Sequence, residues 1–110
     1  MAYQTAYASG EPSRASVDAL PGVTVVEFGA PWCGHCMAAQ AALQLMFASR
    51  PGVRHIKVED GSGKPLGRSF KVKLWPTLVV MRDGVEMARA VRPRERADLA
   101  ALLIAMDTPA

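Results

Sequence analysis

Cysteine is scarce in this sequence: among 110 residues, the only two are Cys33 and Cys36. A small secreted domain that is stapled by disulfides carries several cysteines at dispersed spacings, which this pair cannot supply. The sequence therefore excludes a disulfide framework. Two thiols separated by two residues are instead typical of a site in which the sulfurs themselves take part in chemistry.

Long apolar runs are also missing. No segment approaches the ~20 consecutive apolar residues that a membrane span needs, and the first residues lack the basic start and apolar stretch of a signal peptide. We therefore expect no membrane partner and a cytoplasmic location.

A nucleic-acid-binding motif is absent as well. The formal net charge of +3 and the late arginines, among them Arg92, make the chain mildly basic, but no aromatic residues are interleaved with them. A solvated basic rim that influences partner choice fits this pattern better, so we expect no nucleic-acid partner.

The chain lacks linkers, internal repeats and low-complexity segments. With 110 residues, half of them hydrophobic, it suits one globular domain with one core. We predict a single domain over residues 1–110, with residues 1–9 and 107–110 loosely ordered. Tyr3, Thr5 and Tyr7 alternate with small or polar neighbours, which allows either a short edge strand or a loose terminus.

The remaining sequence alternates strand and helix signals. The runs 23–28, 33–49 and 53–59 predict a strand, a helix and a strand, which together indicate a βαβ unit with parallel strands. A short first helix is expected before Pro21. Downstream, the pattern predicts a short helix at 64–70, a hairpin of strands 78–82 and 85–91 around Asp83-Gly84, and a closing helix that buries Leu99, Leu102, Leu103 and Met106.

The segment Trp32-Cys33-Gly34-His35-Cys36 lies where the first strand gives way to the helix. Unpaired amide N–H groups and the helix dipole at that position favour a thiolate on Cys33. The two thiols can close a small disulfide ring there without unfolding the chain. This arrangement indicates a site that moves electrons between dithiols and disulfides.

Two polar residues interrupt the predicted strands. Glu27 lies in an apolar strand six residues before Cys33, and a carboxylate there is costly to bury unless it is paired or protonated. Two interpretations stay open: an acid buried beneath the cysteines, or a side chain that reaches a solvent edge. His55 is interpreted as a satisfied core or rim residue and not as a metal ligand, because the sequence places no carboxylate or cysteine near it.

These motifs together resemble the thioredoxin superfamily from about residue 10 to residue 106. The residues that carry the resemblance are Glu27-Phe28, Ala30-Pro31, Trp32-Cys33-Gly34-His35-Cys36, Trp75-Pro76-Thr77 and Asp83-Gly84. The resemblance implies the thioredoxin fold. This is an α/β architecture with a central mixed sheet of four to five strands, built from a βαβ unit followed by a ββα unit and flanked by helices.

The resemblance also implies catalytic roles. Cys33 matches the attacking thiol and Cys36 the resolving thiol of a redox-active disulfide, and no further cofactor is expected. Glu27 matches the buried acid that takes the proton of the resolving thiol, and Lys57 falls where the family often has a lysine near that acid. A carboxyl that is desolvated by burial and balanced by a nearby ammonium suits a general base near neutral pH.

A second set of residues matches the family's substrate-facing surface. Pro76 matches the cis-proline that faces the cysteines, and the Gly34-His35 pair is similar to that of protein disulfide isomerase domains. Because an imidazole that favours the Cys33 thiolate stabilises the reduced form, His35 predicts a weaker reductant than a typical thioredoxin. The substrate contacts that we expect come from Trp32, Gly34, His35, Trp75, Pro76, Thr77 and Arg92.

Several departures from the family pattern bear on the substrate range. Gly29 replaces an aromatic residue and is expected to open space beside the strand end, and Ala41 stands near the place of a helix-kinking proline. Trp75 replaces a small aliphatic residue, and Arg92 adds charge and bulk where a glycine is expected. We therefore expect an altered or narrower range of substrates.

The sequence thus predicts a thiol-disulfide oxidoreductase that reduces or exchanges protein disulfides and serves cell redox homeostasis. Its expected partners are protein disulfide substrates and an electron donor such as a thioredoxin reductase, and a monomer is expected. One alternative is a thioredoxin-fold binding or chaperone module with incidental redox activity. Another is a metal or iron–sulfur site made by two Cys-x-x-Cys motifs across a dimer, which Pro76 should discourage.

Overall fold

A four-stranded mixed sheet runs through the centre of the molecule, in the order β2-β1-β3-β4. The computed structural model describes residues 3–109. Strand β1 runs parallel to β2 and antiparallel to β3, which in turn pairs antiparallel with β4. The elements in chain order are α1 Arg14–Asp18, β1 Val23–Gly29, α2 Gly34–Ala48, β2 Arg54–Glu59, α3 Pro65–Ser69, β3 Thr77–Arg82, β4 Val85–Val91, a 3-10 turn Arg96–Leu99 and α4 Ala100–Asp107.

Helices cover both faces of the sheet and enclose two apolar layers. Side chains alternate between the faces along each strand. On one face, Val25 and Val80 belong to a cluster that includes Leu43 and Phe47 of α2 and Leu102 of α4. The cluster on the other face includes Val17 of α1, Val26, Phe28 and Val79 of the strands, Leu66 of α3 and Phe70. Strand β1 is therefore covered on both sides, as its nearly continuous apolar run predicts.

The expected α/β fold is confirmed, with four strands in the sheet. The βαβ unit, the hairpin and the closing helix all form, and their bounds lie within a few residues of the predicted ones. In the closing segment Leu99, Leu102 and Met106 are buried, whereas Leu103 is half-buried. The long helix α2 is a single continuous element, which agrees with the absence of a proline near Ala41.

The N-terminal segment, residues 3–8, does not add the fifth strand that Tyr3, Thr5 and Tyr7 allowed. It lies beside β2 and α2 and is tied to them by hydrogen bonds. The Ala8 N–H donates to the Lys57 carbonyl over 2.8 Å, and the Tyr3 hydroxyl donates to Gln40 Oε1 over 2.7 Å. Residues 1, 2 and 110, which belong to the predicted loose ends, lie outside the described residues.

The hairpin turn at Asp83-Gly84 is hydrogen-bonded to Gly22, the residue before β1. Both residues have positive φ, 49° and 84°, which is the backbone of a two-residue hairpin turn of the primed type. Asp83 Oδ1 accepts from the Gly22 N–H over 2.7 Å, and the Asp83 N–H donates to the Gly22 carbonyl over 3.0 Å. A Cβ on Gly84 would overlap the Asp18 carbonyl oxygen. Position 84 of the turn therefore has room only for glycine.

Gly84→Ala should lower the free energy of unfolding by about 2 kcal/mol or more. An alanine at positive φ costs about 1 kcal/mol, and the overlap with the Asp18 backbone adds a further ~1–3 kcal/mol. Denaturant unfolding checks the value. Gly52→Ala is the matched control, since a Cβ there meets no atom within 4 Å, and it should change stability by less than about 1 kcal/mol. Equal losses in the two variants would contradict the packing described for the turn.

Candidate functional site

Cys33 lies at the N-terminus of α2 and caps the helix with its sulfur. Its backbone is extended, and its Sγ accepts a hydrogen bond from the Cys36 N–H over 3.2 Å. Backbone N–H groups and the helix dipole both favour negative charge at this position. Both cysteines are free thiols. Cys33 thus occupies the helix start, which is the position that the sequence predicts for it.

Cys36 lies one helical turn deeper than Cys33, and the two thiols have different surroundings. Cys33 is 8% exposed and Cys36 is 1% exposed. Burial, followed by the hydrogen bond with Cys33, raises the pKa of Cys36 to about 12. At neutral pH, Cys36 is therefore a protonated thiol beneath the more accessible Cys33 sulfur.

Glu27 is fully buried, so the interpretation as a residue at a solvent edge is wrong. Its side chain extends from β1 toward α2, where Gln40 Nε2 donates to Oε2 over 2.9 Å. His55 Nε2 lies 2.8 Å from Oε1, and Lys57 Nζ lies 4.0 Å from Oε2. The position predicted for Lys57, beside the buried acid, is thus the one it occupies. Both carboxylate oxygens of Glu27 are hydrogen-bonded, which is the condition for burying a charge.

The expectation that no carboxylate lies near His55 is wrong. Strands β1 and β2 are parallel, with Val25 opposite His55 and Glu27 opposite Lys57, so all four side chains share one face. His55 reaches diagonally to Glu27, and its ring stacks on Phe47 at 4.3 Å between centroids. The sequence contains one signal of this arrangement. His55 and Lys57 are two residues apart, so a strand must present them on the same side.

Gln40 and Tyr7 also belong to the site, although the sequence did not single them out. Gln40 Nε2 donates to the Cys36 carbonyl over 2.8 Å as well as to Glu27, and so joins the cysteine helix to the buried carboxylate. Burial, followed by the charges of Cys36 and Glu27, raises the pKa of Tyr7. A cavity of about 290 Å³ opens beside this group and is lined by Thr5, Tyr7, Ala30, Pro31, Cys36, Met37, Gln40 and Lys57.

The space expected beside Gly29 is not open. A Cβ on Gly29 would lie 2.6 Å from Cys36 Sγ and 3.2 Å from the Tyr7 hydroxyl oxygen. The resolving sulfur and the phenol of the N-terminal segment thus occupy the region where a larger residue would begin. Gly29 permits the close approach of Cys36 to the end of β1.

The loop before β3 brings Trp75 to the cysteines. The Trp75-Pro76 peptide bond is cis, as the resemblance implied. Trp75 packs against Ala30, Cys33 and Cys36, and its indole N–H donates to Asp60 Oδ2 over 2.9 Å. Trp32 is 70% exposed and meets Trp75 edge-on, with ring centroids 5.5 Å apart. The two indoles form an aromatic surface next to Cys33.

The other residues expected to contact substrate are divided between the protein surface and its interior. Arg92 is exposed, with φ of 54°, and its Nε donates to the Trp75 carbonyl over 2.9 Å. Gly34 and His35 are exposed in the first turn of α2. Thr77 is buried, and its hydroxyl donates to the Leu74 carbonyl over 2.6 Å, so its side chain supports the loop from inside.

Among residues 3–109, no group of three or more His, Cys, Asp or Glu side chains is arranged to hold a metal ion. Across the same described part of the chain, no helix combines the length and the apolar character that crossing a membrane requires.

Known proteins resemble this chain over most of its length. The thioredoxin family model matches residues 9–105. Thioredoxin from Chlamydia muridarum is 34% identical over 83 residues, which cover 74% of this chain and 80% of that protein. Protein disulfide-isomerase from Gallus gallus is 41% identical over 76 residues, which cover 64% of this chain but only 14% of that longer protein.

A solved structure shares the architecture described above. The structure of thioredoxin 2 from Pseudomonas aeruginosa PAO1 in its reduced form matches with a TM-score of 0.82 and 51% sequence identity, over 94% of this chain and 96% of that one. The family match extends over most of the chain, the mixed sheet and its flanking helices agree, and the cysteine pair lies within the matched residues. The chain therefore belongs to the thioredoxin family, whose members are thiol-disulfide oxidoreductases.

Proposed function

We propose that this protein reduces or exchanges protein disulfides through a reversible Cys33–Cys36 dithiol, and that it thereby serves redox homeostasis in the cytoplasm. The observation that carries the proposal is the difference between the two sulfurs. Cys33 Sγ accepts the Cys36 N–H at the helix N-terminus, whereas burial keeps the pKa of Cys36 at about 12. A two-step exchange needs an accessible sulfur that is favoured as a thiolate and a second sulfur held in reserve as a thiol.

In the first step, the Cys33 thiolate attacks one sulfur of the substrate disulfide. The substrate S–S bond breaks, one substrate sulfur leaves with the electron pair, and a mixed disulfide joins Cys33 to the other. The hydrogen bond from the Cys36 N–H and the N-terminus of α2 favour the thiolate before attack. Trp32 and Trp75 offer an apolar surface beside the reacting sulfur.

In the second step, Cys36 loses its proton and attacks the Cys33 sulfur. The mixed disulfide breaks, the remaining substrate sulfur leaves as a thiolate, and the Cys33–Cys36 disulfide forms. Glu27 is the proposed proton acceptor, because it is a buried carboxylate whose charge acts on the Cys36 thiol, and Gln40 holds its Oε2 next to the cysteine helix. Lys57, 4.0 Å from Glu27, balances part of the carboxylate charge.

Completion of the cycle needs an electron donor, such as a thioredoxin reductase, that returns the Cys33–Cys36 disulfide to the dithiol. No resident cofactor is required for this exchange. Gly34, His35, Trp75, Pro76 and Arg92 would meet the substrate around the dithiol. Arg92 already donates a hydrogen bond to the Trp75 carbonyl, so part of the surface beside the cysteines is occupied. This contact supports a narrower range of protein disulfide substrates.

Variants of the cysteines test the proposal. Cys33→Ser should abolish turnover of a protein disulfide with dithiothreitol as the electron source, and Cys36→Ser should accumulate a mixed disulfide that mass spectrometry detects. At pH 7, well below the pKa of about 12, Cys36 is a thiol, so iodoacetamide should modify the reduced wild type at Cys33 alone. A wild-type protein that binds unfolded substrates without turning over disulfides would contradict the proposal and favour the binding or chaperone module.

Glu27→Gln should leave the attack by Cys33 largely unchanged and slow the resolving step on the order of 10²-fold at pH 7, because the general base is lost. The lifetime of the mixed disulfide in single-turnover experiments measures this effect. Glu59→Gln removes an exposed carboxylate from the same sheet and serves as the control, with no change expected. An unchanged lifetime in Glu27→Gln would show that the proposed base is wrong.

His35→Pro should lower the reduction potential of the dithiol by roughly 20 to 65 mV. His35 is exposed in the first turn of α2, where proline is tolerated, and a charge-assisted interaction with the Cys33 thiolate is worth ~1–3 kcal/mol. Equilibration against a glutathione buffer measures the potential. His35→Ala should shift it in the same direction, since it also removes the imidazole. A potential that rises or stays constant in both variants would refute the role of His35.

A further inference from the structure

The mechanism above does not use His55, although this histidine touches the proposed base. Its side chain is fully buried, and its Nε2 lies 2.8 Å from Glu27 Oε1. The ring stacks on Phe47, at 4.3 Å between centroids, and also contacts Tyr3, at 5.8 Å. These ring contacts help to hold the imidazole in the orientation in which Nε2 meets Glu27.

The second ring nitrogen determines which tautomer this histidine adopts. The Gln4 backbone N–H donates to His55 Nδ1 over 2.8 Å. A backbone N–H can only donate, so Nδ1 must keep its lone pair and the ring proton must be on Nε2. Nε2–H then donates to Glu27 Oε1. An imidazolium would turn an Nδ1–H toward the Gln4 N–H, which the geometry disfavours.

The other polar neighbours of Glu27 also present hydrogen atoms or positive charge. Gln40 has one orientation, because its Oε1 accepts from Lys57 Nζ over 3.1 Å and from the Tyr3 hydroxyl over 2.7 Å. Its Nε2 is therefore the atom that faces Glu27 Oε2. The ammonium of Lys57 lies 4.0 Å from the same oxygen. Each of these contacts favours the carboxylate over the neutral acid.

The remaining groups on this side of the sheet do not oppose the carboxylate form of Glu27. Burial, followed by the charge of Glu27, raises the pKa of Tyr3, and burial followed by the charges of Cys36 and Glu27 raises that of Tyr7. Both phenols are therefore neutral. Strand β3 places apolar Leu78 opposite Glu27. Cys36 and, beyond it, Cys33 are the titratable groups that α2 contributes here.

We propose that His55 is a positioning residue for the thiol-disulfide exchange: as its neutral Nε2–H tautomer, it holds Glu27 as a carboxylate that is ready to accept the Cys36 proton. This role rests on the proposed function of Glu27 as that acceptor. The N-terminal segment takes part through the Gln4 N–H, which fixes the tautomer.

His55 keeps its own proton throughout the resolving step. The Cys36 proton passes to Glu27, the sulfur electron pair forms the bond to Cys33, and the bond from Cys33 to the substrate breaks with its electron pair on the substrate sulfur. Without the Nε2–H donor, burial would favour the neutral acid at Glu27 before the reaction. A neutral Glu27 cannot take the Cys36 proton, so the resolving step would slow at neutral and acidic pH.

The experiment follows both steps by stopped flow between about pH 5 and about pH 9, with an aromatic disulfide that releases a coloured thiolate. The first release reports attack by Cys33, and the second reports resolution by Cys36. His55→Phe keeps a ring beside Phe47 but has no N–H. Loss of a hydrogen bond to a charged group changes its protonation equilibrium by about 10- to 100-fold, so the midpoint of the resolving rate should move up by about one to two pH units.

The attack by Cys33 and the resolving rate at high pH should stay unchanged in His55→Phe. A merely structural role would lower the high-pH rate and leave the midpoint where it is. His55→Gln is the conservative control, because its amide can donate to Glu27 Oε1, and it should retain the wild-type midpoint. A midpoint as high as that of His55→Phe would contradict the assignment of Nε2–H as the essential donor.

Glu27→Gln distinguishes a failure of the positioning role of His55 from a failure of the proposed base, Glu27. If that variant resolves normally, Glu27 is not the base and His55 loses its role with it. If Glu27→Gln is slow while His55→Phe keeps the wild-type midpoint, the role of His55 alone is overturned. Nitrogen-15 NMR of the reduced wild-type protein should show the His55 proton on Nε2. A proton on Nδ1 would overturn the proposal without requiring any variant to fold.

Discussion

A carboxylate buried inside a β-sheet must be surrounded by hydrogen-bond donors, because an unpaired charge in an apolar interior is strongly destabilising. Glu27 obtains these donors from outside its own strand, from His55 of β2 and Gln40 of α2, and the ammonium of Lys57 lies 4.0 Å away as an ion-pair partner. The donors are positioned in turn by the N-terminal segment. Its groups bind Gln40, the nitrogen Nδ1 of His55 and the ammonium of Lys57. A segment without regular secondary structure is thus held in place by its contacts with the partners of one buried charge.

The same network connects the carboxylate to the cysteines. Gln40 binds both Glu27 and the Cys36 carbonyl, so the first turns of α2 are linked to the middle of β1. Gly29 allows the Cys36 sulfur to approach the end of that strand, where burial stabilises the thiol over the thiolate. Cys33, at the helix end, is closer to solvent and to the helix dipole. The chemical difference between two identical side chains therefore follows from a depth difference of one helical turn.

Local sequence signals were sufficient to predict the main strands and helices. The β-branched run of β1, the turn pair Asp83-Gly84 and the spacing of apolar residues in α4 each specify an element without long-range information. The partners of Glu27 could not be found in this way. Contact between Glu27 and His55 depends on the register of two parallel strands separated by a helix, which no short motif encodes. Tyr7 was not singled out, and the space beside Gly29 was misjudged, because the N-terminal segment has no periodicity from which its path along α2 could be predicted.

The features particular to this chain lie mainly around the dithiol rather than within it. Arg92 has φ of 54°, a conformation that costs a non-glycine residue about 1 kcal/mol. Two hydrogen bonds offset this cost, from its N–H to the Pro76 carbonyl and from its Nε to the Trp75 carbonyl. Asp60 holds the indole of Trp75 from the other side. The Arg92 guanidinium thus already uses one acceptor position of the Trp75 carbonyl in the loop beside the cysteines. The proposed reaction depends on the cysteines, whereas the proposed narrower substrate range depends on the contacts that Arg92 and Trp75 make around them.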